Sequence, residues 1–305
     1  MAGALARVEF TAWGTHRPTR FTIEPHTVQA ARALAAWQDV AMRRDVTAHL
    51  AIEVTSPSEL AMSIAVATRS RGLDERLDVR LDGAPLEFNE VDDAHGTRLH
   101  VIRAEVGLLT IDYAATIEGR EQPAPSSARD LIRYLRPSRY CESDELAATA
   151  SAEFGGLTGH SLLSVVSSWV GTRLEYVPGS SLPTDGAVRT LLARRGVCRD
   201  YAHLCVAFLR ASGVPARLAS VYAPGLDPMD FHAVSEAHVE GMWCVVDATT
   251  LAPRTSLVRI ATGRDAADTA FMTVVSGRAE LVDLVVSAVV DSLPADDITA
   301  ATHLG

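Results

Sequence analysis

The sequence predicts an α+β chain: an antiparallel, β-rich first half, then helices packed on a second antiparallel sheet. Three observations carry this expectation. Up to about residue 118, apolar and polar residues mostly alternate, which is the period of half-buried strands. Residues 118–127 are polar and rich in turn formers, the composition of a linker. Beyond them helical stripes come first, and alternation returns only after Gly213. With 305 residues, 48% of them hydrophobic, the chain is long enough for two packed regions.

Taken in order, Leu50-Ile52-Val54, Met62-Ile64-Val66 and Leu77-Val79-Leu81 each read as a strand, and Asp82-Gly83 reads as a turn. Leu99-Val101 and Leu109-Ile111-Tyr113 give two more, joined through Gly107. Strands in succession, without helices between them, imply an antiparallel sheet or sandwich. The Ala-rich residues 27–42 fit helix and irregular chain equally. His16, His26, His49, His95 and His100 are scattered and read as surface or capping residues. This organisation divides the chain into a β-rich domain (1–118), a linker (119–129), a second domain (130–292) and a disordered tail (293–305).

In the second domain, Ser143-Asp144-Glu145 reads as a helix start and Phe154-Gly155-Gly156 as its end. A helix over 161–174 carries Leu162, Val165, Val166, Trp169 and Val170 on one stripe, and a shorter one over 186–193 follows. Next comes Gly196-Val197-Cys198, with Tyr201, Leu204, Cys205, Phe208 and Leu209 at helical spacing and Gly213-Val214-Pro215 as the stop. Cys198 thus opens a helix, where unpaired N–H groups and the helix dipole favour an anion. Strands are expected over 217–222, 233–239 and 242–247, with Glu240-Gly241 as a hairpin turn, and again over 271–275 and 280–289.

If the 233–239 and 242–247 strands form that hairpin, His232 and Asp247 meet at its open end, and the helix can bring Cys198 to His232. A nucleophile, a base and an acid that orients the base make a catalytic triad. The motif around Cys198, Asp230-Phe231-His232-Ala233 with Glu236, and Gly241-Met242-Trp243 through Asp247-Ala248-Thr249 resemble the three motifs of the transglutaminase-like superfamily, in the same order. The likeness covers roughly residues 130–260, and the β-rich half is similar to a domain that bacterial members often carry. It implies a papain-like core, with Cys198 as nucleophile, His232 as base and Asp247 as orienting acid. It also implies cysteine-dependent acyl transfer on a peptide or carboxamide, through a thioester, with water or an amine as acceptor. The alternative is a catalytically idle binding module that keeps the fold. Two departures bear on substrate preference: Val234 stands where the family often has Trp, and Ala248 where Pro is commoner.

Tyr140, Asp230 and Trp243 are the candidate substrate-binding residues. Cys205 and Cys244 lie on apolar stripes and read as core, and His238 and His203 as structural. Asp227, Asp230 and His232 lack the spacing of a metal site, and four scattered cysteines without CxxC pairs point to neither zinc nor disulfides, so no cofactor is expected. A net charge of −10 argues against a nucleic-acid partner. With no membrane-length apolar run and no signal-peptide pattern, the expected setting is cytoplasmic and the expected partner a protein or peptide substrate.

Overall fold

The computed structural model describes residues 42–304 apart from 69, 71 and 122, so His16, His26 and nearly all of the Ala-rich 27–42 lie outside the described residues. Strand β1 (Arg43–Met62) is the spine of the first sheet. Val46, Ala48, Leu50, Ile52 and Val54 fall on its buried face, as period two requires. Its first part pairs with β6 (Gly107–Glu118) and its last residues with β5 (Arg98–Ala104). The register shifts between Val54 and Leu60, around Pro57, which has no N–H to offer the ladder. That bend lets one strand serve two partners. With β2 (Leu73–Leu81), β3 (Ala84–Pro85) and β4 (Phe88–Asp92) the order is β3-β2-β6-β1-β5-β4. Asp82 and Gly83, both at positive φ (49° and 80°), make the tight β2–β3 turn.

The second part contains α1 (Ala128–Arg133), α2 (Ala147–Phe154), α3 (Gly159–Arg173), β7 (Glu175–Tyr176), α4 (Ala187–Ala193) and β8 (Arg195–Gly196). Helix α5 (Cys198–Ala211) follows, then β9 (Ala216–Tyr222), β10 (Phe231–Val239), β11 (Met242–Val246), β12 (Val258–Gly263) and the short α6 (Ala266–Thr269). The four strands form an antiparallel sheet in the order β11-β10-β9-β12, and α5 packs on β9 and β10 beneath α2, α3 and α4. Phe208 of α5 meets Phe154 and Trp169 edge to face at 5.1 and 5.2 Å, locking three helices together. Tyr222, Val258 and Ile260 of this sheet enter the same core as Leu50, Ile52, Ile111 and Tyr113 of the first. The mixed α+β architecture is the one the sequence predicts.

Several expectations need correction. The Met62-Ile64-Val66 strand ends at Met62; Ile64 and Val66 are buried by packing, not by pairing. Residues 143–146 form a turn, and α2 starts only at Ala147. The two strands expected over 271–275 and 280–289 are one strand, β13 (Met272–Val290), and it pairs along the length of β1. It therefore belongs to the first sheet, not to the second domain, because it closes an edge of β1 that would otherwise leave its N–H groups unpaired. The tail from 293 is packed, not disordered: Thr302 O accepts from Val245 N at 2.7 Å, Leu304 is buried, and Arg254 pairs with Asp296 at 3.0 Å. The linker is tied down as well, since Glu121 is buried against Arg259 at 3.3 Å. His95 and His100 are not surface residues; they bond Tyr134 Oη at 2.8 Å and Glu90 at 3.0 Å.

Candidate active site

Cys198 begins α5, and the loop before it is held from two sides. Asp200 Oδ2 accepts from Val197 N at 2.8 Å, satisfying one free amide of the helix start, while its Oδ1 accepts from Ser181 Oγ at 2.8 Å. A Cβ at residue 196 would come within 2.6 Å of the Asp200 side chain, so only glycine lets the acid fold back on its own helix. Asp200 is a cap, as its place in the first turn suggests.

The β10–β11 hairpin turns at Glu240 and Gly241, both at positive φ, and pairs Ser235 with Val246 near its open end. There His232 Nε2 and Asp247 Oδ2 are 2.9 Å apart, both buried. Asp247 Oδ1 accepts from the backbone and hydroxyl of Thr249, at 2.9 and 2.7 Å, which fixes the carboxylate plane. The other ring nitrogen, Nδ1, is buried without a hydrogen bond of regular geometry, and the Cys198 side chain lies close enough to interact with the ring. Burial opposes a charge on the His232 ring, but the Asp247 carboxylate and the neighbouring Cys198 sulfur outweigh it and push the imidazole up to about 10. Burial also opposes the Asp247 charge, yet His232 and Thr249 hold the carboxyl below its ordinary range.

Tyr176 is a neighbour of the sulfur that the sequence reading missed. Parallel pairing of Tyr176 with Gly196 sets its ring two residues before Cys198, and its hydroxyl interacts with both the amide and the side chain of Cys198. Burial and Cys198 push that phenol up to about 12. Only a two-residue strand places it, and no periodic pattern announces so short an element.

A cleft of about 590 Å³ opens beside Cys198 and His232, and Tyr140 and Asp230 line it. Tyr140 is stacked on His203 at 5.3 Å. Asp230 accepts from Phe231 N at 2.7 Å, and burial holds its carboxyl above the ordinary value. Trp243, the third substrate-binding candidate, is not in the cleft. It is 1% exposed, beneath the Arg217 guanidinium at 4.0 Å. His203 is structural but accepts rather than donates, taking Ala266 N–H on Nε2 at 3.1 Å; burial pushes it down to about 3, which keeps that nitrogen free to accept. His238 packs on Trp243, away from the cleft. Cys141, Cys205 and Cys244 are all buried in the helical core. Among the described residues no group of three or more His, Cys, Asp or Glu gathers to hold a metal ion, and no helix is long and apolar enough to cross a membrane.

Residues 155–248, which include all three polar side chains of this cluster, match the family model of the transglutaminase-like superfamily. The fold is similar to that of a candidate cysteine protease from Cytophaga hutchinsonii, with a TM-score of 0.77 and 34% identity, over 84% of this chain and 93% of that one. A Mycobacterium leprae protein of uncharacterised function is 31% identical over 110 residues, 33% of this chain and 39% of its own. A Mycobacterium tuberculosis protein, also uncharacterised, is 40% identical over 73 residues, 22% of this chain and 23% of its own. The matched stretch thus spans well under half the length of these curated relatives.

Proposed function

The chain belongs to the transglutaminase-like superfamily, and from that premise we propose that it is a cysteine-dependent acyl-transfer enzyme acting on an amide: a peptide bond or a glutamine-type carboxamide. One observation carries the reading. His232 is fixed on Asp247 at 2.9 Å, with Cys198 beside the same ring at the start of α5 and a cleft opening past both.

In this mechanism the Cys198 thiol proton rests on the His232 ring before the substrate arrives, and the sulfur lone pair forms a C–S bond to the amide carbon. The carbonyl electrons move onto oxygen, within reach of the Cys198 amide and the Tyr176 hydroxyl as donors. The C–N bond then breaks, the leaving nitrogen takes the proton from His232, and a thioester remains. Water or an amine, deprotonated by His232, adds to the thioester, and the C–S bond breaks to return the thiol. Asp247 fixes the ring orientation and its tautomer throughout. The likeness to the Cytophaga candidate protease favours water as the acceptor. A reducing, cytoplasmic setting is part of the proposal and suits four free cysteines.

Intact-mass spectrometry after mixing with a peptide library, with and without an added amine, tests the reading. The wild type should gain an acyl mass that Cys198→Ala, folded by circular dichroism, does not, and the amine should shorten its lifetime if amines are acceptors. A wild type that never gains mass, and whose Cys198 reacts with iodoacetamide no faster than buried Cys141, would overturn it.

A further inference from the structure

The cleft beside Cys198 is built by both parts of the molecule. Leu218, Phe231 and Ile260 line it from the second sheet, while Met272 and Leu284 of β13 and Ser63, just past β1, line it from the first. Ser63 N donates to Phe271 O at 2.9 Å, which fixes this wall, and the Phe231 and Phe271 rings lie 5.4 Å apart along it. Charge is sparse inside. Besides His232, the cleft is lined by Asp230 and by Arg199, whose guanidinium is engaged by Ser181 Oγ at 2.6 Å and Leu182 O at 2.8 Å.

Two buried, unpaired hydroxyls break this apolar surface, beside the other lining hydroxyls of Tyr140, Thr269 and Thr273. Ser63 is 2% exposed and its Oγ has no hydrogen bond; the buried Oγ of Ser220, which also lines the cleft, has none either. A buried hydroxyl left unpaired opposes folding, and native proteins satisfy nearly all of them. Ligand sites are the exception with a reason: mostly apolar walls carrying a few polar groups that the ligand completes. A hydroxyl can both donate and accept, and in a cleft so sparse in charge a neutral group that does the same completes it.

The geometry points to a specificity pocket for a large, uncharged aromatic side chain with a hydroxyl at its far end, that is, a tyrosine next to the reacting amide of a peptide. The aromatic body fills the Phe231–Phe271 wall, and Ser63 and Ser220 meet the phenol. This assignment rests on the acyl-transfer reading for the position of the amide, but binding in the pocket does not need the chemistry. It also gives the β-rich part a function: Ser63 brings substrate selection from outside the triad domain.

Calorimetric binding to Cys198→Ala, which cannot react, tests it with five peptides that differ only in Tyr, Phe, Ala, Glu or Lys beside a glutamine. Tyr should bind at least about tenfold tighter than Ala, Glu or Lys, and a few-fold tighter than Phe. Adding Ser63→Ala should erase the Tyr-over-Phe preference and leave Phe binding unchanged. Ala267 is an exposed lining residue, so Ala267→Trp should fill the cleft without disturbing the core, and should abolish the Tyr preference. Equal affinity for the Tyr and Ala peptides, tighter binding of Glu or Lys, or a Tyr preference untouched by both variants would overturn the pocket. Selective binding here, with no acyl-enzyme from the wild type, would instead overturn the acyl-transfer reading alone.

Discussion

His232 holds a proton that its burial works to remove. A wholly buried imidazole with no carboxylate bonded to its ring is neutral at pH 7, as His203 is; the Asp247 carboxylate, helped by the Cys198 sulfur, reverses this for His232 and pushes it up to about 10. The folded value lies above the ordinary ~6.5, so protonation contributes stability that is fully present below pH ~6.5 and is lost as pH rises through about 10. Titration of the ring by nitrogen-15 NMR should therefore show His232 protonated through neutral pH in the wild type. In Asp247→Asn the same ring should deprotonate below ~6.5, because the burial remains and the carboxylate is gone. A wild-type midpoint between 6 and 7 would remove the Asp247 effect. These residues were legible in the sequence because three short motifs occur in order, and each needs only its own local geometry. Tyr176 was not, since its nearness to Cys198 comes from pairing with Gly196 across an intervening loop and helix. Trp243 was misplaced because its motif also holds Asp247. Four residues along a strand is a separation of roughly 13 Å, enough to put Trp243 under Arg217 and away from the cleft.

At the scale of elements, a buried ion network holds the sheet that carries His232. Glu236, four residues along β10 from His232, accepts from Arg217 Nε at 2.8 Å and from two nitrogens of Arg259 at 2.8 and 2.9 Å. It thereby ties β10 to β9 and β12, and Arg259 carries the tie to Glu121 in the former linker. Burial opposes the Glu236 charge, but the two guanidiniums pull its carboxyl far below the ordinary range. A depressed carboxyl contributes stability that is present above its unfolded value of ~4.3 and is lost as pH falls through the folded one, so the network persists in mild acid. Glu236→Gln keeps the shape and leaves two buried arginines short of a counter-charge, which should cost about 3–5 kcal/mol in urea unfolding at pH 7. A loss below about 1 kcal/mol would mean that packing alone holds the three strands. The strands with clean alternation were visible from sequence. Strand β12 was not, because all six of its positions are buried and the period vanishes. Strand β13 was read as two because Gly277, at φ 84°, and its polar neighbours interrupt the pattern just where the strand crosses the Pro57 bend of β1.

The molecule as a whole is less divisible than its sequence. The expected boundaries put everything from 130 to 292 in one domain, yet β13 runs back to close the first sheet, and the cleft needs walls from both sheets. Sequence patterns report local period, and the return of a distant strand to a first-domain edge leaves no local mark. The chain's end should therefore matter unequally along its length. Ending the chain after Phe271 removes the partner that β1 keeps from Arg44 to Met62 and opens a long apolar edge, so the shortened protein should be insoluble. Ending it after Ser292 spares β13 and removes the contacts of the tail: Asp296, Asp297 and Ala300 on Arg254, Thr302 on Val245, His303 on Arg120, and buried Leu304. Re-exposing what the tail covers should cost about 2 kcal/mol, equivalent to roughly 5 °C of melting temperature, with solubility kept. Soluble fraction and thermal melts of the two truncations separate these cases. A soluble protein ending at Phe271, with an unchanged melt, would mean that the sheets are independent domains. The cleft would then be a crevice between neighbours, and its selectivity would depend on a domain arrangement that β13 does not fix. An insoluble one would make β13 part of the folding unit that carries Cys198, and substrate selection inseparable from the stability of the fold.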